Sequence, residues 1–354
     1  MKTCLIDMPL ISTADLRPDL ESYWTSFLRA HPAGLIYYGL KFRDFLCDVT
    51  GGRPRYRVAL ENGRVVGILP VMEQEGSYGR VLNALPFFGS YGAPLAASPM
   101  AKSALLADWA AMVADDGVAA ATLVANPLEP DEGPKGMMID AEDHRSGQFT
   151  QLPSGEAAEA TILAMIDGAA RRNVNRARSE GIVIEEDVGA LGFLELVHRE
   201  NMLAIGGMAK PTRYFTSIPK IFCYGEDWRL FVARKDGVPV AAVLMFYSNG
   251  VAEYFTPAIT EVGRTTQATA LILFHAMVDA ARRGFHSWNW GGTWPDQDGV
   301  FRFKQKWGAQ PRPYRYFVTL REQSLLSASP AELTAAYPFF YVLPFRLLAA
   351  KRGV

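Results

Sequence analysis

An internal repeat constrains the fold of this 354-residue chain more than any other feature of its sequence. Each half contains two β-rich runs separated by Asn-Gly or Asp-Gly, in YRVALENGRVVGILPVM and WRLFVARKDGVPVAAVLMFY. Such pairs favour the tight turn of a β-hairpin. In both halves an apolar strand, a stretch with helical spacing and a further strand follow the hairpin. The repeat therefore predicts an α/β protein with two tandem domains related by internal duplication.

The joint between the two halves is predicted in LPSGEAAEA, a small and polar segment that contains Pro153 and Gly155. We therefore assign residues 1–155 to a first domain, 156–325 to a second, and 326–354 to an apolar and basic tail. Two alternatives stay open for the tail. It packs on the body of the protein, or it makes a peripheral membrane contact through aromatic side chains and terminal cations.

The composition argues against several classes of function. Charged residues make up 21% of the chain and the net charge is -1, which disfavours a broad nucleic-acid interface. The three cysteines and five histidines show neither a disulfide framework nor a metal-ligand spacing, so we expect no metal site and a cytoplasmic location. No stretch is apolar over the roughly 18 residues that a membrane span needs.

Four segments, in this order, resemble those of the FemABX-type transferases: LPFFGSYGAPL, RNVNRARSEGI, AEYFTPAITEVG and GVFRFKQKWGA. The fourth resembles the family pattern GL..FK..FG and is the most specific. The resemblance extends from about Ile36 to Leu320 and implies two tandem GNAT-like (acyl-CoA N-acyltransferase) domains, with CelD-like acetyltransferases among the relatives. It also implies transfer of an aminoacyl group from aminoacyl-tRNA, or of another activated acyl group, to an amine.

The same resemblance shapes our expectations for ligands. We expect no tightly bound cofactor, a donor that is an aminoacyl-tRNA or an acyl thioester, and an amine-bearing acceptor that is phosphorylated or related to the cell envelope. Ala96 and Ala97 stand where peptidoglycan-type members carry an important aspartate. Two alternatives therefore stay open: an acyl-CoA or acyl-carrier-dependent N-acyltransferase of small-molecule metabolism, and a non-catalytic binding protein on the same fold.

Two residues are candidates for a catalytic role. Amide formation from an ester or thioester needs a held amine, a proton acceptor and a donor for the oxyanion. Lys304 matches the lysine of the family's FK motif, so the resemblance implies that it binds an anionic acceptor or stabilises developing negative charge. Tyr254 lies near the end of GVAEYF, where the resemblance implies that central strands splay around the donor, and its hydroxyl would donate or relay a proton. A surface lysine and a core tyrosine are the alternatives.

Further candidates follow from position and from the resemblance. The expected substrate-binding residues are Arg213, Tyr214, Tyr91, Arg302 and Trp290. Acetyl-CoA-binding GNAT domains have a phosphate turn Q/R-x-x-G-x-G/A, which reads RTTQATA here; Arg264 and Thr266 are therefore cofactor-binding candidates, and a plain helix start is the alternative.

The sequence contains two clusters of cationic residues whose placement has to be predicted. The arginines of RRNVNRARS predict either a solvated basic face or an anion site. Arg302, Lys304 and Lys306 alternate along the chain, so they do not share one helical face. We expect them along a strand edge or a tight turn.

Overall fold

The computed structural model describes residues 11–85, 90–130, 132–155 and 157–349. By its contacts the chain divides into two compact units. Unit 1 comprises Met1–His144 and Tyr314–Val354, and unit 2 comprises Arg145–Pro313. The C-terminal segment that follows unit 2 is thus part of unit 1. The domain ranges read from the repeat stay a prediction.

The described part of the chain contains both α-helices and β-strands. The helices are α1 (Glu21–Ala30), α2 (Leu40–Thr50), α3 (Pro99–Ala114), α4 (Ala158–Met165), α5 (Gly168–Ser179), α6 (Leu191–Ala204), α7 (Thr212–Ile221), α8 (Glu261–Thr265), α9 (Ala268–Arg282), α10 (Asp298–Gln305), α11 (Pro330–Ala336) and α12 (Arg346–Ala349). The strands are β1 (Ile11–Asp15), β2 (Arg53–Pro54), β3 (Arg57–Glu61), β4 (Arg64–Leu69), β5 (Met72–Gly76), β6 (Gly79–Ala84), β7 (Leu95–Ala96), β8 (Val118–Val124), β9 (Ala141–Gln151), β10 (Val183–Glu186), β11 (Trp228–Lys235), β12 (Val238–Ser248), β13 (Val251–Ile259), β14 (Ser287–Thr293) and β15 (Gln310–Leu320).

Unit 1 contains two sets of hydrogen-bonded strands. One is a sheet in the order β1-β3-β4-β7, and the other has the order β15-β8-β6-β5-β2. The predicted hairpin is β3–β4, and its turn residues Asn62 and Gly63 have φ angles of 50° and 78°. Strands β6 and β8 run parallel and are connected through α3, which confirms the predicted strand, helix and strand order.

Unit 2 repeats the order of a hairpin, a strand, a helix and a parallel strand. Its strands are arranged as β10-β11-β12-β13-β14-β9. The hairpin β11–β12 turns at Asp236 and Gly237, with φ angles of 50° and 79°. Strand β13 runs antiparallel to β12 and parallel to β14, and α9 connects β13 to β14. Both predicted hairpins and both parallel crossovers are therefore present.

Helix α9 is the centre of the core of unit 2. Its run ALILFHAMV is buried almost all round because α4 and α5 pack on one side of it and strands β11 and β12 on the other. Each fully buried Leu, Ile, Phe or Met side chain contributes about 1.5–3 kcal/mol by leaving water. His275 is the exception: its neighbours in the sequence are apolar, but its side chain is exposed and lies against the ring of Phe231.

The C-terminal segment packs on unit 1. Tyr337, Val342, Leu343 and Leu348 are buried in one cluster with core residues of β6, β8 and β15. Arg346 donates to the buried carboxylate of Asp143. These four apolar side chains of the tail therefore lie in the core, whereas Phe345 is exposed. Lys351 and Arg352 lie outside the described residues. No helix in the described part of the chain is both long and apolar enough to cross a membrane.

Candidate active site in unit 2

The parallel strands β13 and β14 separate after a short paired stretch. They pair only along residues 251–253 and 287–289, although β13 continues to Ile259 and β14 to Thr293. In unit 1 the corresponding strands β6 and β8 stay paired to the end of β6. Of these two parallel pairs, the one in unit 2 therefore separates early, which opens a gap and leaves main-chain groups of β13 and β14 outside their shared ladder, as the resemblance implied for the position of Tyr254.

A β-bulge lies at the point where β13 leaves β14. Relative to β12, Phe255 is an extra residue between Tyr254 and Thr256. A bulge releases main-chain groups from the ladder and redirects side chains. The Phe255 ring is parallel to that of Tyr214, with centroids 6.0 Å apart, and the Thr256 hydroxyl lies 2.8 Å from the Tyr214 hydroxyl. Tyr214, an expected substrate-binding residue, is fully buried in α7 against this bulge.

Lys210 holds the bulge of β13. Its ammonium donates to the carbonyl of Phe255 at 3.2 Å and to Thr256 Oγ1 at 2.6 Å. The nitrogen also lies 4.8 Å and 5.1 Å from the ring centroids of Tyr214 and Phe255. Burial lowers the pKa of Lys210 to about 7. Sequence reasoning missed this residue, since in AKPTRYF the only signal was its nearness to Arg213 and Tyr214.

His198 of α6 fixes the segment that carries Lys210. Its Nε2 accepts a hydrogen bond from the main-chain N–H of Lys210 at 3.3 Å. Burial, and secondarily the positive charge of Lys210, lower the pKa of His198 to about 4. The imidazole is therefore neutral at pH 7 and able to accept this bond.

A second bulge lies on β14. The register of β14 against β9 shifts by one residue between Asn289 and Gly292. Gly291 has a φ of 74°, in the left-handed region that glycine adopts without strain, and its N–H donates to Asn289 Oδ1 at 2.8 Å. Both strands that border the gap are thus bulged close to it.

Lys304 holds the bulge of β14. Its ammonium donates to the carbonyls of Gly291 and Gly292 at 3.2 Å and 3.1 Å, and to Thr293 Oγ1 at 2.8 Å. These bonds engage all three protons of the ammonium. The side chain is 5% exposed, and its burial lowers the pKa of Lys304 to about 8. Lys304 thus binds protein oxygens in this arrangement, and its binding of an anion stays a prediction.

Gln148 of β9 orients the acceptor of that lysine. Its Oε1 accepts from the Thr293 hydroxyl at 2.9 Å, and its Nε2 donates to the carbonyl of Phe301 at 3.1 Å. Since the Thr293 proton is directed at Gln148, the hydroxyl oxygen is available to accept from Lys304. Strands β9 and β14 and helix α10 are joined by this buried polar network.

The expectation of a strand edge or turn around Lys304 was wrong, because residues 298–305 form helix α10. Residues two apart on a helix are rotated by about 200°, so they point in different directions. Lys304 is therefore buried while Arg302 and Lys306 are exposed. Arg302, an expected substrate-binding residue, lies on the outer surface of α10.

Aromatic rings line the other face of β13. The ring of Tyr254 lies 5.3 Å from that of Trp290 and 6.3 Å from that of Trp288, among side chains that pack with α9. Trp290 is almost fully buried and donates from Nε1 to Thr150 Oγ1 at 2.9 Å. Burial raises the pKa of Tyr254, so its hydroxyl keeps its proton at neutral pH. The side chain of Tyr254 and the side chain of Lys210 thus lie on opposite faces of β13.

The turn before α9 differs in detail from what we expected. Thr266 does not cap α9; its hydroxyl donates back to the carbonyl of Val262 at 2.7 Å. The N-cap is Gln267, whose φ of 59° is a left-handed conformation. The turn therefore has a backbone conformation suited to glycine without having one, and the Ala270 N–H donates to the carbonyl of Gln267 at 2.9 Å. Arg264 is exposed and lies 3.9 Å from Glu261.

The remaining candidates lie elsewhere. Arg213 is exposed on α7, one residue before Tyr214. Tyr91 belongs to unit 1, where it is fully buried with its ring edge-on to those of Tyr37 and Tyr314. Gly89 of the same loop lies outside the described residues.

The arginines of α5 (171, 172, 176 and 178) are exposed. Arg178 pairs with Glu159 at 3.3 Å. This is the solvated basic face that we had kept as one alternative for the segment.

Comparison with known proteins places the gap within a conserved type of domain. Residues 168–305, from α5 to α10, match the family model described as an acetyltransferase (GNAT) domain. The structure of FemX superposes with a TM-score of 0.65 at 13% identity, covering 89% of this chain and 98% of FemX. The fold is that of the tandem GNAT proteins. The predicted resemblance and the predicted α/β fold class are thereby confirmed.

Two further solved structures are similar to this chain over comparable lengths. A domain described as the C-terminal part of a lysylphosphatidylglycerol synthetase from Agrobacterium fabrum has a TM-score of 0.55 at 12% identity, covering 92% of this chain and 99% of that one. A tandem GNAT protein from the clavulanic acid biosynthesis pathway has a TM-score of 0.51 at 12% identity, covering 88% and 98%. No curated protein matches the sequence. At these identities the likeness concerns the fold.

Proposed function

We propose that this protein is an N-acyltransferase that transfers an activated acyl group, in the first place an aminoacyl group from aminoacyl-tRNA, to an amine. The reaction takes place in the gap between β13 and β14. The observation that carries this proposal is the separation of two bulged strands after three paired residues, within the segment that matches the GNAT domain. Such a gap offers main-chain groups to an extended donor and so helps to hold it in place.

Each candidate has a role that its position supports. Tyr254 borders the gap with a protonated hydroxyl, so it donates a hydrogen bond to the leaving oxygen or sulfur. Lys304 fixes the bulge of β14 and, as the resemblance implies, supplies positive charge beside the reaction. Arg213 and Arg302 are exposed cations suited to an acceptor with phosphate groups, such as a precursor of the cell envelope.

A thioester donor is the second candidate, and the turn before α9 favours it. Gln267 keeps the left-handed conformation at the helix start, where main-chain amides and the helix dipole attract phosphate. An acyl-CoA would place its pyrophosphate there, near Arg264. The aminoacyl donor is supported by the FemX-like fold, and the thioester donor by this one turn.

A panel of donors tests the proposal. The protein is incubated with labelled aminoacyl-tRNAs, acyl-CoA and acyl-carrier thioesters, together with simple and phosphorylated amines, and amide product is measured by mass spectrometry. One donor class is expected to give product and also to raise the melting temperature, since it binds the native state. Binding of a donor without amide formation would favour the non-catalytic alternative on the same fold.

A further inference from the structure

Lys210 is a partly buried lysine with no role in the function proposed so far. It lies on the segment between α6 and α7 and contacts the bulge of β13 through Phe255 and Thr256. The residue next to the bulge is Tyr254, which borders the gap from the other face. An acyl carbon held between the strands would therefore have Tyr254 on one side and the Lys210 amine on the other.

We infer that Lys210 is the proton acceptor of the reaction, taking a proton from the ammonium form of the incoming acceptor at the bulge of β13. This inference rests on the proposed function and assigns it a further catalytic residue. A general base must be placed at the reacting atoms and must be partly unprotonated at the working pH. The bulge supplies the place, and burial, which lowers the pKa of Lys210 to about 7, leaves part of the amine unprotonated at neutral pH.

The other titratable groups near Lys210 are less suited to accept this proton. His198 of α6 faces it, is neutral at pH 7 and already accepts the main-chain N–H of Lys210. Tyr214 of α7 is buried, and its pKa is raised far above neutral, so it does not accept a proton. Glu253 is the carboxylate of β13 nearest in sequence to the bulge. It lies in the stretch of β13 that still pairs with β14, before the two strands separate.

The proton balance is simple. The acceptor arrives as R–NH3+ and gives one proton to neutral Lys210 Nζ, which becomes an ammonium and later releases the proton to solvent. The free amine attacks the acyl carbon and forms the C–N bond. The bond from that carbon to the ribose oxygen or thioester sulfur breaks, and the leaving atom takes the second proton from the nitrogen, assisted by the Tyr254 hydroxyl. The products are an amide and the free hydroxyl or thiol.

The test compares wild type with Lys210→Arg, using the donor that gives product in the panel. Arginine keeps a positive charge and donors for the bulge, but it does not release its proton in this pH range. For wild type we expect kcat to rise to a plateau with a midpoint near pH 7. For Lys210→Arg we expect kcat to fall at least ~100-fold and to lose that midpoint, with KM for the acceptor nearly unchanged.

Controls separate this role from a structural one. Lys220→Arg changes an exposed lysine of the same helix region and should keep the wild-type rate. Glu253→Gln should keep the midpoint near pH 7. Thermal melting of each variant checks folding, and the 13C NMR titration of lysine-labelled protein measures the protonation of Lys210 without substrate.

The outcomes distinguish the two proposals. If Lys210→Arg turns over at the wild-type rate with the wild-type pH profile, the role of Lys210 is overturned while the acyltransferase function stands. If no donor gives product with wild type, the proposed function falls and this role with it. If Glu253→Gln removes the pH midpoint instead, the base is the carboxylate.

Discussion

The substitution Lys304→Met should change how stability depends on pH. In the folded protein the pKa of Lys304 is lowered from 10.5 to about 8 by burial. Between these two values the unfolded chain holds a proton that the folded protein has lost, so the free energy of unfolding rises with pH. Below pH 8 both states hold the proton and the contribution is nearly constant. Methionine keeps the length and volume of the side chain but removes the titration.

The magnitude follows from linkage. Each pH unit in this window adds at most ~1.4 kcal/mol to the free energy of unfolding. Between pH 7 and pH 9.5 the contribution of Lys304 integrates to about 2 kcal/mol. At pH 7 the variant should already be less stable by ~2 kcal/mol, because two buried carbonyls and a hydroxyl lose their donor. The deficit of Lys304→Met should therefore grow towards about 4 kcal/mol at pH 9.5.

Urea unfolding followed by the fluorescence of the buried tryptophans of unit 2 measures this deficit at several pH values. The matched control is Lys306→Met, which removes an exposed lysine from the same segment and should run parallel to wild type. Measurements stay below pH 10, where tyrosines of the unfolded chain begin to ionise. If the curves of wild type and Lys304→Met are parallel from pH 7.5 to 9.5, the ammonium does not titrate as the buried network requires.

Three further predictions concern other parts of the structure. Tyr254→Phe should lower kcat of the transfer by about 10-fold or more while Tyr23→Phe, at an exposed tyrosine, leaves it unchanged. Gln267→Gly should raise the free energy of unfolding by ~0.5 kcal/mol, because relief of the left-handed strain exceeds the entropy cost of glycine; a loss above 1 kcal/mol in thermal or urea unfolding would contradict this. Arg346→Met should destabilise the protein by ~3 kcal/mol, because it leaves the buried carboxylate of Asp143 without its cation. Asp143→Asn should destabilise it less, because the arginine left without its carboxylate is half-exposed and is hydrated by solvent.

The parts of the fold that could be predicted are those specified by local chemistry. Asn62-Gly63 and Asp236-Gly237 adopt positive φ because these residue types tolerate it, so each hairpin is encoded in two residues. The apolar run of α9 has helical length and spacing. These features depend on neighbours in the sequence, and a single chain is enough to recognise them.

The bulges could not be predicted, because they are mismatches between strands. Phe255 is an extra residue only relative to β12, and nothing in GVAEYFTPAI distinguishes it. The same reason explains why Lys210 was missed: its chemistry comes from the oxygens that the bulge releases, and these lie 45 and 46 residues further along the chain. For His275 the sequence is misleading in another way. Its neighbours in α9 are apolar, yet its side chain is exposed, because the sequence neighbourhood does not decide which side of a helix meets solvent.

The lysine of the FK motif illustrates how a specific pattern can leave the role of its residue open. Binding a substrate anion and binding the main chain of a bulge both require a lysine at one fixed position. The FK pattern alone therefore does not tell which of these two roles the lysine has. The geometry separates them, because an ammonium that already donates to three protein oxygens must release at least one of them before it can donate to a ligand. Binding of an anionic ligand by Lys304 would then open the bulge of β14 and raise the pKa of Lys304. The pH dependence of the stability difference between wild type and Lys304→Met should therefore change when the acceptor is present. If saturating acceptor leaves that dependence unaltered, Lys304 shapes the gap without entering it.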